Sequence, residues 1–108
     1  MKYSVQQNIP IFGTEVLNDM VKGEDGKMTK VPTTLGKFLT LVCVNAQVKS
    51  MDEKYRLYKI ASRIHDAETK EGELELSPED IVMLKKLLGE GPYSPVAAGA
   101  TVDLLEAK

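Results

Sequence analysis

The chain has 108 residues, of which 43% are hydrophobic and 28% are charged, and its formal net charge is −2. A folded chain of this size buries roughly 60 to 70% of the surface that its unfolded form exposes, which is enough for one core without metal ions or disulfides. We therefore predict a single domain over residues 1–108. The 14 Lys and Arg against 16 Asp and Glu leave no basic surplus, which disfavours a nucleic-acid or anionic-membrane binder.

The cysteine content and the short apolar stretches indicate the compartment. Cys43 is the one cysteine, and it lies in the apolar run 38–44, where a thiol serves as a small hydrophobic side chain. No stretch approaches the roughly 18 apolar residues of a membrane span, and the first residues lack the apolar run of a secretory signal. We expect a cytoplasmic protein that makes no membrane contact.

Residues 1–32 are predicted to be rich in β structure. Short runs that carry apolar residues, over 3–7 and 9–12, fit extended chain, and Pro10 confines the second run to an edge or an irregular stretch. The run over 14–21 fits a helix as easily as a strand, and a strand is favoured because a turn signal follows it. Asp25-Gly26, inside the polar segment 22–27, indicates a hairpin turn because glycine adopts positive φ at little cost. Residues 28–31 form the returning strand in this prediction, and Pro32 ends it.

The pattern becomes helical after Pro32. Thr33 or Thr34 can cap a first helix over 35–48, whose apolar side chains fall into two sectors. The first sector contains Leu35, Phe38, Leu39, Val42 and Ala46. The second contains Leu41, Val44 and Val48, and it is a candidate protein interface. Two alternatives remain open, since a central helix sandwiched within the monomer also buries both sectors, whereas a surface helix needs a partner chain or a second copy.

Three further helices have clear start signals. The capping box Ser50-Met51-Asp52-Glu53 begins a second helix that is expected to end near 65–67. Ser77-Pro78-Glu79-Asp80 begins a third helix that ends at Gly89, and Ser94-Pro95 begins a fourth over 96–106. The four residues 97–100 are small and are expected to permit close helix packing. Residues 66–72 are predicted to form a loop, and residues 73–76 alternate as a short strand does.

The second helix carries a basic face that is a candidate nucleic-acid site. Arg56, Lys59 and Arg63 recur at helical spacing and project together, so they could meet phosphates. Asp52 shares that face, and the next segment, 66–80, holds seven acids against one lysine. An ordinary solvated face is therefore the favoured interpretation, and nucleic acid is not the expected partner.

No catalytic, metal or cofactor motif reaches a recognisable pattern. His65 falls at the expected end of the second helix, where an imidazolium gains from the helix dipole. Apolar neighbours should raise the pKa of Cys43, which disfavours an activated thiolate. The acidic segment 66–77 has the wrong spacing for a calcium loop, with Lys70 at a ligand position. We predict no enzyme activity, no cofactor, no metal and no small-molecule substrate.

These elements together predict an α+β fold, in which residues 1–32 are β-rich and form an N-terminal β-hairpin or small antiparallel sheet, and residues 33–108 are mostly helical and form about four helices. The segments from about 33 to 106 also resemble small accessory proteins encoded by tailed bacteriophages and prophages. The matching stretches are Thr34-Leu35-Gly36, Glu53-Lys54-Tyr55, Tyr58-Lys59-Ile60-Ala61, Leu76-Ser77-Pro78-Glu79-Asp80-Ile81 with Leu84-Lys85, and Gly99 with Leu104-Leu105-Glu106.

That resemblance implies a viral origin, action in the host cytoplasm and contact with other proteins, and it assigns no catalytic residue. The expected function is a non-enzymatic phage accessory that binds a protein partner or a second copy of itself, either in virion or tail assembly or as an inhibitor of a host factor. The alternative is a small DNA-binding transcriptional regulator.

Overall fold

The computed structural model describes residues 2–12, 15–70 and 72–106. Its strands and helices are β1 (Lys2–Ser4), β2 (Asn18–Lys22), β3 (Met28–Pro32), α1 (Leu35–Asn45), α2 (Met51–Thr69), β4 (Glu73–Glu75), α3 (Pro78–Glu90) and α4 (Pro95–Glu106). The fold is α+β, as predicted, with two small antiparallel sheets and four helices among the described residues.

The two sheets differ in where they lie. β1 pairs with β4, which places Tyr3 opposite Leu74, and both side chains are buried in the core. The Tyr3 hydroxyl donates to the carbonyl of Leu105 near the end of α4. β2 pairs with β3 from Asn18 opposite Pro32 to Lys22 opposite Met28, and every residue of these two strands is exposed. The first sheet therefore belongs to the core, and the second projects from it.

The core forms where the helices meet around α1. Its fully buried large side chains come from the four helices, from β4 and from connecting segments: Val5, Ile9, Leu35, Leu39, Val42, Ile60, Ile64, Leu74, Leu76, Leu84, Thr101 and Leu105. Gly36 permits a close approach at the start of α1, because its N–H donates to the Val5 carbonyl and an added Cβ would lie 2.9 Å from the Val5 Cβ. No helix in the described part of the chain is long and apolar enough to cross a membrane.

The predicted helix starts are confirmed by their caps. The Thr34 hydroxyl accepts a hydrogen bond from the Lys37 N–H, and the Ser50 hydroxyl accepts one from the Glu53 N–H. Ser77 and Asp80 form a reciprocal capping box at the start of α3. The Ser94 hydroxyl accepts from Ala97 in α4. Each side chain satisfies a backbone donor that has no partner within its own helix.

The predicted helix ends are less accurate. The prediction of a first helix to residue 48 is wrong at its last three residues, because Ala46 adopts an extended backbone and ends α1 at Asn45. The predicted loop over 66–72 is shorter than expected, because α2 continues to Thr69 and the Lys70 N–H donates to the Asp66 carbonyl. The third helix passes Gly89 by one residue and ends at Glu90.

The strand predictions also shift by a few residues. The first run contracts to β1, and the second forms an isolated bridge from Pro10 to Val16. The third run becomes β2, which begins at Asn18, while Thr14 lies outside the described residues. The turn at Asp25-Gly26 is confirmed, since Gly26 has φ +81°. Pro32 is the last residue of β3.

Candidate protein interface

The second apolar sector of the first helix does not form one surface. Leu41 and Val44 lie on the outward side of α1 and are 46% and 71% exposed. Val48 lies beyond the end of α1, is half-buried and packs against the core. The described part of the chain therefore does not sandwich α1 from both sides, since Leu41 and Val44 remain open to solvent while Val48 is only partly covered.

The three basic residues of α2 lie on one side of the helix but have different surroundings. Arg56 is exposed. The Lys59 ammonium lies over the Tyr55 ring, 4.8 Å from its centroid. Arg63 donates to the Asp80 carboxylate at 3.0 Å and to the Glu75 carbonyl at 3.1 Å. Since Arg63 is held by α3 and β4, the triplet does not present three unengaged cations to a phosphate backbone.

The Arg63–Asp80 pair links α2 to the start of α3. Asp80 is buried, and burial alone would raise its pKa. Hydrogen bonds from the Ser77 backbone and from Arg63 outweigh that effect, so the pKa of the Asp80 carboxyl is lowered. This ion pair accounts for Arg63 as a residue that stabilises the fold.

The one cysteine and the one histidine of the chain lie in different surroundings. Burial raises the pKa of the Cys43 thiol to about 11, so the thiolate is scarce at neutral pH. His65 is exposed on α2, one turn before that helix ends. Within the described ranges, no three His, Cys, Asp or Glu side chains come together in a way that could hold a metal ion.

A cleft of about 860 Å³ lies between the ends of α1 and α3. Val48 and Tyr93 contribute to its walls, together with Lys49, Lys86 and Glu90. Its rim mixes both signs of charge. In the part of the chain that the structure describes, no buried polar side-chain atom lacks a hydrogen-bond partner, so the cleft has no orphaned polar group aimed at a ligand.

The hairpin formed by β2, β3 and their turn has regular hydrogen bonding. The Gly23 N–H donates to the Lys27 carbonyl at 2.8 Å, and the Thr33 N–H donates to the Leu17 carbonyl at 2.9 Å. Because bonded and non-bonded pairs alternate in an antiparallel ladder, the odd-numbered residues of β2 bond to β3. The even-numbered residues of both strands therefore direct their backbone groups outward, toward the open edges.

Both open edges of the hairpin are protected against pairing with another strand. On the β2 edge, the Asp19 carboxylate accepts the Met20 N–H at 2.9 Å. On the β3 edge, Pro32 has no N–H to offer and Lys30 adds a charge. Edge features of this kind discourage another strand from pairing. A partner of the hairpin would therefore contact its faces.

The two faces of the hairpin differ in charge. Side chains alternate across a strand, so one face carries two methionines and two lysines and is called the basic face here. It contains Asn18, Met20, Lys22, Met28, Lys30 and Pro32. The opposite face contains Asp19, Val21, Thr29 and Val31. Met20, Val21, Met28 and Val31 are all exposed, so neither face is covered by the rest of the described chain.

These hairpin side chains were not identified from the sequence as interface candidates. The available signal was the adjacent pair Met20-Val21, because two neighbouring apolar residues in a strand point to opposite faces and cannot both meet one core. The outward side of α2, where Met51, Tyr55 and Tyr58 are exposed, was also missed. The spacing of these residues, four and then three positions apart, is the sequence signal that could have identified this surface.

Comparisons of this chain with protein-family models, with curated proteins and with solved structures give no match.

Proposed function

We propose that this chain is a non-enzymatic protein that acts by binding another protein, and that the hairpin makes the contact. The observation that carries this proposal is that all ten strand residues of the hairpin are exposed, four large apolar side chains among them. An isolated two-stranded hairpin is only marginally stable in water, so exposed apolar groups on both faces are a cost to the free chain. A partner that covers one face would offset the cost of exposing those apolar groups.

The partner that fits the basic face is a protein surface that is apolar and acidic. Met20 and Met28 supply flexible apolar contacts, which adapt to an irregular surface. Lys22 and Lys30 lie beside them, and no acid lies on that face. Carboxylates around an apolar patch of the partner would complement the two lysines and speed association.

A DNA groove fits the hairpin less well. Its tip carries Glu24 and Asp25, both exposed, which phosphates would repel. Across residues 18–32 the three acids offset the three lysines, so this stretch carries no net positive charge. The proposed class of partner is therefore a protein. Under the phage resemblance, that partner is a virion or tail protein or a host factor.

The experiment compares capture by matched variants of the two faces. Tagged wild-type chain, Met20→Ser/Met28→Ser and Val21→Ser/Val31→Ser are used on lysates of phage-infected and uninfected cells. The substitutions are equal in number and kind, and circular dichroism checks that each variant is folded. We expect a protein that binds the wild type and the opposite-face variant, and that is lost with the basic-face variant.

The captured protein is then purified and titrated against Lys22→Glu/Lys30→Glu. We expect its affinity to fall at least tenfold, and we expect binding of the wild type to weaken as salt is raised. Equal binding by both face variants, or no protein that distinguishes them, would overturn the hairpin as the binding surface. A virion protein supports a role in assembly, and a host protein supports inhibition.

A further inference from the structure

The outward side of α2 carries a second exposed apolar surface, separate from the hairpin. Met51, Tyr55 and Tyr58 recur at intervals of four and three residues and lie opposite the buried side chains of the same helix. Tyr55 is 51% exposed and Tyr58 is 65% exposed. We call these three residues the aromatic stripe.

The aromatic stripe is organised by local contacts. The Tyr55 and Tyr58 rings are stacked, with centroids 6.2 Å apart and an interplanar angle of 22°. Lys59 lies over the Tyr55 ring. Tyrosine gives large contact area at low entropic cost because it has few rotatable bonds, and here the rings are already paired before any partner arrives. A preorganised stripe of this kind is suited to association.

We propose that two copies of this chain associate by packing their aromatic stripes against each other, with the two α2 helices antiparallel about a twofold axis. The stripe follows the alternating four and three spacing by which helices pack side by side. A twofold axis passing between Tyr55 and Tyr58 sets each Tyr55 against Tyr58 of the second copy. The contact is then self-complementary, as a twofold interface requires.

Charge complementarity supports a second copy as the occupant. Asp52 and Lys59 are two helical turns apart on the same side of α2, and both are exposed. Their midpoint falls within one residue of the midpoint between Tyr55 and Tyr58. The same antiparallel arrangement therefore places Asp52 of each copy beside Lys59 of the other. Two identical ion pairs would flank the aromatic contact.

The expected dimer is weak. One helix face with three large side chains buries less than the roughly 1,200 Å² that marks the lower end of stable interfaces. We therefore expect a monomer–dimer equilibrium in the micromolar range. The apparent mass should rise with concentration from 11.9 kDa toward twice that value.

Sedimentation equilibrium of charge-reversed full-length chains tests this inference. Asp52→Lys places two lysines together at each flank, and Lys59→Asp places two acids there, so each variant should raise the dimer dissociation constant about tenfold. In an equimolar mixture of the two variants, the mixed dimer has opposite charges at both flanks, one pair in the original order and one reversed, so the mixture should associate better than either variant alone. Lys86→Asp, an equal charge change on α3, is the control and should leave association unchanged.

Tyr55→Ser/Tyr58→Ser should abolish the dimer, and thermal unfolding checks that the folded state survives this surface change. A wild type that stays monomeric up to millimolar concentration would overturn the inference, as would a mixture that associates no better than its components. The hairpin variant Lys22→Glu/Lys30→Glu should dimerise normally. Failure of this inference and failure of the hairpin proposal are therefore distinguishable.

Discussion

The hairpin and the rest of the described chain, which we call the body, differ in how far their apolar residues are buried. In the body, the apolar seams of α1, α2 and α3 are buried, and four hydroxyl caps fix where helices begin. In the hairpin, no strand residue is buried, although Met20, Val21 and Met28 are as apolar as core residues. Folding of this chain explains the buried seams of the body. It does not explain the exposed apolar residues of the hairpin, which the proposed function assigns to contact with a partner protein.

Equivalent truncations in the two regions should show the largest contrast. Leu84 is fully buried in α3, and Leu84→Ala should lower the free energy of unfolding by about 2 to 5 kcal/mol, because it removes apolar contacts and leaves a cavity. Met20→Ala, in the hairpin, should change it by less than about 0.5 kcal/mol. Urea titration followed by circular dichroism measures both. Similar losses would mean that the hairpin contributes to the core in solution.

The Arg63–Asp80 pair predicts a pH dependence that belongs to the body alone. The folded state lowers the pKa of Asp80, so the carboxylate stabilises the fold above its unfolded pKa of about 3.9 and loses that contribution as pH falls through the lower folded value. Asp80→Asn should cost about 1 to 3 kcal/mol at neutral pH, with the gap to wild type narrowing below about pH 4.

Asp103→Asn, at an exposed carboxylate on α4, is the control for Asp80. We expect little change in its stability at any pH. Urea unfolding at a series of pH values measures all three chains, and a constant gap between Asp80→Asn and wild type would contradict the linkage.

Two helical glycines in the body should respond with opposite signs to the same substitution. At Gly36 an added Cβ meets the Val5 Cβ at 2.9 Å and the Val5 carbonyl at 3.2 Å, so Gly36→Ala should destabilise by about 1 to 3 kcal/mol. At Gly99 nothing lies within 4 Å, so Gly99→Ala should stabilise α4 by about 0.5 to 1 kcal/mol. Thermal unfolding compares them. Equal signs would mean that the close approach of Val5 to α1 is not kept in solution.

A substitution at the hairpin turn should lower the stability of the hairpin more than that of the body. Gly26 has φ +81°, where an alanine is strained by about 1 to 2 kcal/mol. Because the strand residues of the hairpin are all exposed, Gly26→Ala should speed hydrogen exchange at the ladder amides of Val21 and Thr29. It should leave exchange of the Ile60 amide nearly unchanged. Equal acceleration at all three amides would show that the hairpin and the body unfold together.

Local sequence patterns correctly predicted the features that depend on residues close together in the sequence. Serine and threonine caps located the helix starts, and Asp25-Gly26 located the hairpin turn. They could not predict that β1 pairs with β4, since the two strands lie far apart in the sequence and neither contains a signal that identifies its partner strand. The end of α1 was misplaced because no glycine or proline follows Asn45 to mark it.

The candidate sites show the same limit. Helical spacing grouped Arg56, Lys59 and Arg63, but the ion pair from Arg63 to Asp80 depends on how α2 meets α3. Spacing also placed Leu41 and Val44 on one side of α1, and both are exposed there. Val48 was grouped with these two residues only because the prediction continued the first helix to residue 48. The small residues of α4 were expected to permit close packing, yet Gly99 is exposed and has open space around it.

The hydrogen bond from Tyr3 to the Leu105 carbonyl holds the first strand against the last helical turn, so the two ends of the described chain are spatial neighbours. A short peptide linker could join them into a ring that is then opened at the hairpin tip, between Asp25 and Gly26. Such a circular permutant would keep the strand pairing of β1 with β4 and all four helices. It would turn the single projecting arm into two free tails, each ready to accept a fused reporter.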